Sequence, residues 1–366
     1  MYLVFWVAFA LGAVSWIAFW YWCAGLRTVP LLAPGRADRI SVIIPARNER
    51  NNLGRLLPSL LNQPDQPHEI IVVDDHSDDG TGDYARELGL RVVDGAELPE
   101  GWMGKTWACH QGAEVSSGEW LLFLDADIEV QPDGLGRLAA LAGGDDHVHS
   151  ICPYHRMEKA YEQLSAVFNA IMVVGSNAFT LGRAKGQRIG LFGQSLLVSR
   201  KRYQQVGGHG AVKTEILENY ALAGHFREQG VECQCWLGRG TLSMRMFPEG
   251  RDHLVNSWSK GAAAGASCTP KSVVVGVSLW MTAMSVGLMN LVAALVLGIE
   301  SWGWAAIFYS LAAAQAGYLF RRVGSYWLLT AACYPVFLGF YLHVFGRASR
   351  MKKRGERVQW KGRDVG

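Results

Sequence analysis

The sequence predicts an α/β fold: a mostly parallel sheet covered on both faces, set between an N-terminal membrane anchor and a C-terminal helical membrane region. Three observations lead there. Between residues 38 and 270, short β-branched runs alternate with segments of helical periodicity. Flanking this stretch are long segments without charge: 2–26 before it, then 272–299, 301–320 and 323–346, where only His343 could ionise. Two of the apolar runs end in acids, Asp74–Asp75 and Asp125/Asp127, at the strand ends where open α/β sheets bind ligands.

The elements follow in order. Each uncharged segment is long enough to cross a hydrocarbon layer, which takes about 20 helical residues. The first has no basic leader and exceeds the roughly 7–15 apolar residues of a cleavable signal, so 1–26 predicts a retained anchor. The domain at 38–270 opens with "RISVIIPARNE", a strand ended by Pro45. "NLGRLLPSLLNQ" has helical spacing, "EIIVVDD" is a second buried strand, "GDYARELG" a helix and "LRVVDG" a third strand. A helix near 105–116 and the strand "EWLLFLDAD" come next. The stretch 158–182 reads as a mixed apolar helix, either in the core or at the membrane surface. Residues 271–346 supply the C-terminal membrane segments, and 347–366 a basic tail.

Charge and cysteine content exclude several classes. The chain is +3 overall, but 346–366 carries eight Lys/Arg against two acids, leaving the remainder at −3. Such basicity is a juxtamembrane topology signal rather than a nucleic-acid groove, so no nucleic-acid partner is expected. The 7 cysteines are odd in number and contain no C-x-x-C, which supports neither a disulfide framework nor a zinc site.

"GWMGKTWACHQG" holds a Gly-Lys-Thr that resembles the end of a P-loop. The glycine required five positions earlier is Pro99, so the backbone cradle for a triphosphate is missing and that reading fails on spacing. Lys105 nevertheless lies between two acidic strand ends. "LDAD" places two carboxylates one residue apart, a spacing that lets them share Mg²⁺ or Mn²⁺ completed by substrate phosphates. A carboxylate at Asp75 could accept an N–H from a nucleobase such as uracil. Together, Asp75, Lys105 and Asp125/Asp127 describe base, phosphate and metal.

"SVIIPARNE", "IIVVDDHSDDGT", "GWMGKTWAC", "LLFLDAD" and "LLVSRKRYQQVGGH", in this order, resemble a family 2 glycosyltransferase of the GT-A fold. The further blocks "PYH", "GGHGAVKTEILENYALA", "MRMFPEG", "WSKGAAAG", "RRVGSYWLL" and "VQWKGR" narrow the resemblance. They are similar to the carotenoid-acid (diaponeurosporenoate) glucosyltransferases of pigment synthesis. The resemblance implies a nucleotide-sugar site at Pro45, Ala46, Arg47, Glu49, Asp74, Asp75, Lys105 and Asp125. It implies UDP-glucose as donor, Lys105 facing its diphosphate or uridine, and a metal at Asp127 with Asp125. Gln194, His209 and Trp258 would meet the acceptor. Trp258 matches the tryptophan of the processive Gln-x-x-Arg-Trp motif, but Leu254 and Ser257 replace its Gln and Arg, so polymer synthesis is not expected. As an alternative, Trp258 anchors a helix at the bilayer surface.

Catalysis is implied at Glu218, Asn219 and Asp127. Most relatives end an acidic pair in Asp, the base for a hydroxyl acceptor; here "LEN" puts Asn219 there, and Asn cannot take a proton. Either Glu218 is the base or none is needed. A carboxylic acid has a pKa near ~4–5 and is already ionised at neutral pH. A hydroxyl acceptor would benefit from base help worth roughly 10²–10⁴-fold. The departure therefore fits an inverting transfer onto the carboxylate of a carotenoid acid. Transfer to a hydroxylated lipid, or an inactive sugar-nucleotide-binding scaffold, are the alternatives. The expected setting is the cell membrane, multi-pass, with the catalytic domain on the cytoplasmic side where nucleotide sugars are made. The implied partners are a UDP-sugar, a lipid acceptor, the membrane and other pigment-pathway enzymes. A cytoplasmic tail requires that one of 301–320 and 323–346 does not cross fully.

Overall fold

A computed structural model describes residues 2–31, 35–143, 146–182, 189–215, 217–298, 300, 302–353, 358–360 and 363–365. For 260–268 and beyond 350 it describes backbone alone. The chain forms two compact units: a sheet unit of residues 27–156 and 184–246, and a helical unit of residues 1–26, 157–183 and 247–366. Residues 157–183 and 247–270, inside the predicted 38–270 stretch, thus fall in the helical unit.

Helix α1 (Tyr2–Cys23) opens the helical unit. The sheet unit then alternates β1 (Ile40–Ala46), α2 (Arg50–Leu61), β2 (Glu69–Asp74), α3 (Thr81–Glu87), β3 (Arg91–Asp94), α4 (Gly104–Val115) and β4 (Trp120–Leu124). It continues with β5 (Ile128–Val130), α5 (Gly134–Ala142), β6 (Val148–Cys152) and β7 (Tyr154–His155). After α6 (Ala166–Gly175) of the helical unit come β8 (Ser195–Ser199), α7 (Arg200–Gln205), α8 (Glu218–Glu228), β9 (Cys233–Leu237) and β10 (Leu242–Met244).

The main sheet has seven strands in the order β3-β2-β1-β4-β8-β6-β9. The pairings β3–β2, β2–β1, β1–β4 and β6–β9 are parallel, while β8 runs antiparallel to both its neighbours. The predicted mostly parallel sheet is therefore present. A small sheet, β5-β10-β7, lies beside it. β1 is buried almost throughout because it is paired on both edges and covered on both faces, and its one polar side chain, Ser41, donates to Glu69 Oε1 at 2.8 Å. Its pairing with β4 stops at Ile43, so Pro45 meets only β2, through Val73, and its missing N–H leaves no gap on the β4 side. α2 buries Leu53, Leu56, Leu57 and Leu60 at helical spacing. Gly112 lets α4 approach the sheet: a Cβ there would come within 2.4 Å of the Ile43 side chain.

The helical unit adds α9 (Arg251–Cys268), α10 (Lys271–Val296), α11 (Trp302–Val323), α12 (Leu328–Ala332) and α13 (Tyr334–Lys353), then a hairpin of β11 (Val358–Trp360) and β12 (Arg363–Val365). Inside this unit, Phe19 of α1 stacks on Trp280 of α10 at 5.0 Å, and Gly276 packs under Trp22. Phe9 and Trp20 meet Phe308 and Tyr318 of α11 at 5.4 and 5.3 Å. Among the described residues, α1 and α10 are the two helices long and apolar enough to cross a membrane. The uncharged segment 323–346 is not one helix. It breaks at residues 324–327 and again at Cys333, with Pro335 entering the first turn of α13 where its missing N–H does no harm. The expected helix over 158–182 is likewise shorter. Residues 160–165 form a 3-10 turn because Glu162 folds back onto the Lys159 amide at 2.8 Å, and the α-helix spans only Ala166–Gly175.

Candidate active site

The parallel register brings the carboxyl ends of β1, β2 and β4 to one edge of the sheet, with Ala46 opposite Asp74. The two loops leaving β1 and β2 are then tied together by polar side chains. The Asn48 amide donates to Ser77 Oγ at 2.9 Å, the Asp78 amide to Asn48 Oδ1 at 3.0 Å, and the Glu49 amide to Thr81 Oγ1 at 2.9 Å. Asp79 accepts the Arg50 amide at 3.0 Å and the Thr81 amide at 3.0 Å. Sequence reading missed this lattice, although Asp79-Gly80-Thr81 ahead of a helix is a recognisable turn signal. Asp74 accepts the Ser77 amide at 3.1 Å and lies against Gly82, where any Cβ would strike its carboxylate. Asp75, 7% exposed, takes the Ala46 carbonyl through its amide at 2.8 Å and faces the Arg47 guanidinium at 3.5 Å. Pro45, Ala46, Arg47, Glu49, Asp74 and Asp75 are thus gathered at this edge.

Lys105, the second residue of α4, meets the next group. Its Nζ lies 2.8 Å from Asp125 Oδ1, 3.0 Å from Glu218 Oε1 and 2.8 Å from the Gly193 carbonyl. While Glu218 Oε1 has no hydrogen-bond partner among the described residues, the ammonium donates to the carbonyl and ion-pairs with both carboxylates. Burial works against its charge, but Asp125 and Glu218 outweigh it and hold the lysine well above the usual ammonium pKa. Glu218 begins α8, and Asn219 beside it donates Nδ2 to the Phe192 carbonyl at 3.2 Å. Gln194 receives the Asp125 amide on its carbonyl at 3.0 Å. No sequence signal marks the carbonyls of 192–194 as part of this group.

Asp127 follows two residues after Asp125. Burial, then the charges of Asp125 and Glu49, push its carboxyl up to about 7, with Lys105 opposing. Its Oδ1 is buried and has no hydrogen-bond partner among the described residues. A carboxylate oxygen so placed, among other acids, fits a cation. Among the described residues no cluster of three or more His, Cys, Asp or Glu converges. A metal at Asp125 and Asp127 would therefore need further oxygens, as Mg²⁺ and Mn²⁺ take from phosphates.

The three residues expected at the acceptor have different surroundings. Gln194 stands within the Lys105 group. His209 is 1% exposed, its Nδ1 paired with Tyr203 Oη at 2.8 Å and its ring 4.8 Å from Phe123. Burial first, with Lys105 and His110 adding to it, lowers its pKa to about 3, so it is neutral. Trp258 packs inside the helical unit, stacked on Phe168 at 4.7 Å with Nε1 donating to Ser165 Oγ at 3.0 Å.

The sequence pattern of glycosyl transferase family 2 matches residues 41–193. The 4,4'-diaponeurosporenoate glycosyltransferase of Staphylococcus aureus (strain MRSA252) is 32% identical over 331 residues, covering 88% of this chain and 87% of that one. Its counterpart from strain USA300 is 31% identical over the same shares. Among solved structures, the mannosyltransferase PcManGT from Pyrobaculum calidifontis, in complex with GDP-Man and Mn²⁺, is 18% identical. It aligns with a TM-score of 0.55 across 96% of this chain and 99% of that one. The shared architecture is the GT-A fold, and the similarity extends well beyond the matched domain. This chain belongs to glycosyltransferase family 2.

Proposed function

We propose that the enzyme transfers glucose from UDP-glucose, with inversion, to the carboxylate of a carotenoid acid, releasing UDP and forming a glycosyl ester. The observation that carries this reading is the Lys105–Glu218 ion pair beside Asn219. The Glu218 carboxylate is turned onto the Lys105 ammonium at 3.0 Å rather than left open to an acceptor hydroxyl, and the amide next to it cannot take a proton. A hydroxyl acceptor would lack its base. A carboxylate acceptor needs none: its oxygen attacks the anomeric carbon as the bond to the UDP oxygen breaks, and no proton moves. Lys105 also masks the charge of Glu218, which would otherwise repel an anionic acceptor.

Asp75 would accept the uracil N–H, with Pro45, Ala46, Arg47 and Glu49 around the nucleoside and Asp74 shaping the turn. Asp125 and Asp127 would hold Mg²⁺ or Mn²⁺, whose charge offsets that of the departing diphosphate. The Mn²⁺ with PcManGT and the acceptor in the staphylococcal relative's name support the metal and the substrate class. The enzyme would sit in the cell membrane with the sheet unit cytoplasmic, α1 and α10 crossing it and the less apolar α11, packed on α1 through Phe308 and Tyr318, returning the chain. An even number of crossings after the sheet unit leaves the basic tail on that same side. Arg354 in that tail lies outside the described residues.

Lipids from a host that makes carotenoid acids, with and without this protein, decide the matter by mass spectrometry. A hexosyl ester cleaved by mild alkali is expected. An alkali-stable glycoside would mean a hydroxylated acceptor instead, and no new lipid would overturn the reading.

A further inference from the structure

Three consecutive carbonyls ahead of β8 are each held by a residue of the candidate site. Asn219 Nδ2 donates to Phe192 O at 3.2 Å, Lys105 Nζ to Gly193 O at 2.8 Å, and the Asp125 amide to Gln194 O at 3.0 Å. From below, Ser150 Oγ accepts the Phe192 amide at 2.8 Å. The ring closes through Lys105, which reaches both Asp125 and Glu218. α4, α8, the end of β4 and the 192–194 segment are thereby joined by side chains at one point.

The chemistry of that ring is selective. A carbonyl oxygen only accepts, so the atom facing Phe192 O must carry a hydrogen. Asparagine provides one. An aspartate would set a carboxylate oxygen against a carbonyl oxygen at a position only 5% exposed, where such a repulsion is costly.

We infer that Asn219 is a positioning residue whose amide clamps the Phe192–Gln194 segment, and so holds Glu218, Lys105 and Asp125 in register. The position is not a vacated base site; it requires an N–H donor. The inference rests on the reading of this cluster as the transfer centre. Glu218 and Asn219 then divide the work, one oriented by Lys105 and the other orienting the strip of backbone that Lys105 grips.

The test compares wild type, Asn219→Ala and Asn219→Asp as full-length enzymes in detergent. Removing the donor costs one net hydrogen bond, so Asn219→Ala should lose about 10-fold in kcat with donor KM nearly unchanged. Asn219→Asp should lose more, about 100-fold or beyond, because it adds an unrelieved contact. Amide hydrogen exchange over 189–196 should quicken in the same order. An emptied base site makes the opposite forecast: alanine harmless, aspartate neutral or activating towards alcohols. Asn219→Asp matching or exceeding Asn219→Ala, or unchanged exchange in both, overturns the clamp. If the aspartate variant does not fold, unchanged kcat and exchange in Asn219→Ala overturn it alone. Exchange is read without donor or acceptor, so a wild type that transfers nothing to a carotenoid acid defeats the proposed function and leaves the clamp to be judged separately.

Discussion

The two units differ most in what they leave outside. In the sheet unit, Val42, Ile43 and Ile44 are fully buried and ionisable groups collect at the strand ends. In the helical unit, Leu3 and Val296 are each 76% exposed and Leu328 is 66% exposed, while Asn169, Gln163 and Gln315 are buried. Asn169 donates to Tyr326 Oη at 2.6 Å and Gln315 to the Trp16 carbonyl at 3.3 Å. Burial of apolar surface drives the first kind of fold, because water is its solvent. Helices with apolar residues outside and small or polar residues between them suit a solvent as apolar as leucine.

Acid should separate the units most. His149 and His155 are pushed down to about 4 and His209 to about 3, burial being the largest cause in each. These bases are neutral in the fold, while an unfolded chain takes the proton near ~6.5. Their contribution is intact above that value and is lost as pH falls towards about 4 and then 3. At pH ~5 each costs on the order of 2 kcal/mol. His253 and His343 of the helical unit are exposed, so near-neutral and acid melts should show the sheet unit failing first. Simultaneous loss of both units would break the comparison.

The next largest effect belongs to Asp127. Asp127→Ala should reduce transfer about 10³-fold or more, roughly 4 kcal/mol, while circular dichroism stays unchanged. EDTA should do the same to wild type, and Mn²⁺ or Mg²⁺ should restore it. Full activity in EDTA would remove the metal from the site.

Glu218→Gln should cost about 10-fold, roughly 1.4 kcal/mol, well short of a general base. A loss above about 10³-fold in steady-state rate would make Glu218 the base and the acceptor a hydroxyl. The smallest effect is expected on the outer face of the helical unit. Val14→Ser, at a position 65% exposed, should change folding by less than about 0.5 kcal/mol and leave sheet-unit melting and kcat unaltered. Flotation with liposomes should nonetheless weaken slightly, since part of the apolar face is lost.

Much of this was readable from the chain. The alternation of apolar strands and helices, and acids at the ends of β2 and β4, are local patterns of period 2 or 3.6 and length, so they survive without a structure. Helices long enough for a bilayer, about 30 Å at roughly 1.5 Å per residue, announce themselves by charge-free length in the same way. Yet the single uncharged segment 323–346 concealed two helices, because Cys333 and the residues at 324–327 end a helix without any change in hydropathy.

Sequence by itself determined the inventory: which strands form, which acids sit at their ends, and that an asparagine, Asn219, follows Glu218. Only the tertiary structure decided what those residues face. Lys105 lies 20 positions from Asp125 and more than 100 from Glu218, yet one ammonium bridges both. The partners of Asn219 and Lys105 in the 192–194 segment are backbone carbonyls, which every residue carries and no sequence pattern can mark. Charge and hydropathy are properties of residues; a hydrogen bond to a main-chain oxygen is a property of where the chain has been brought.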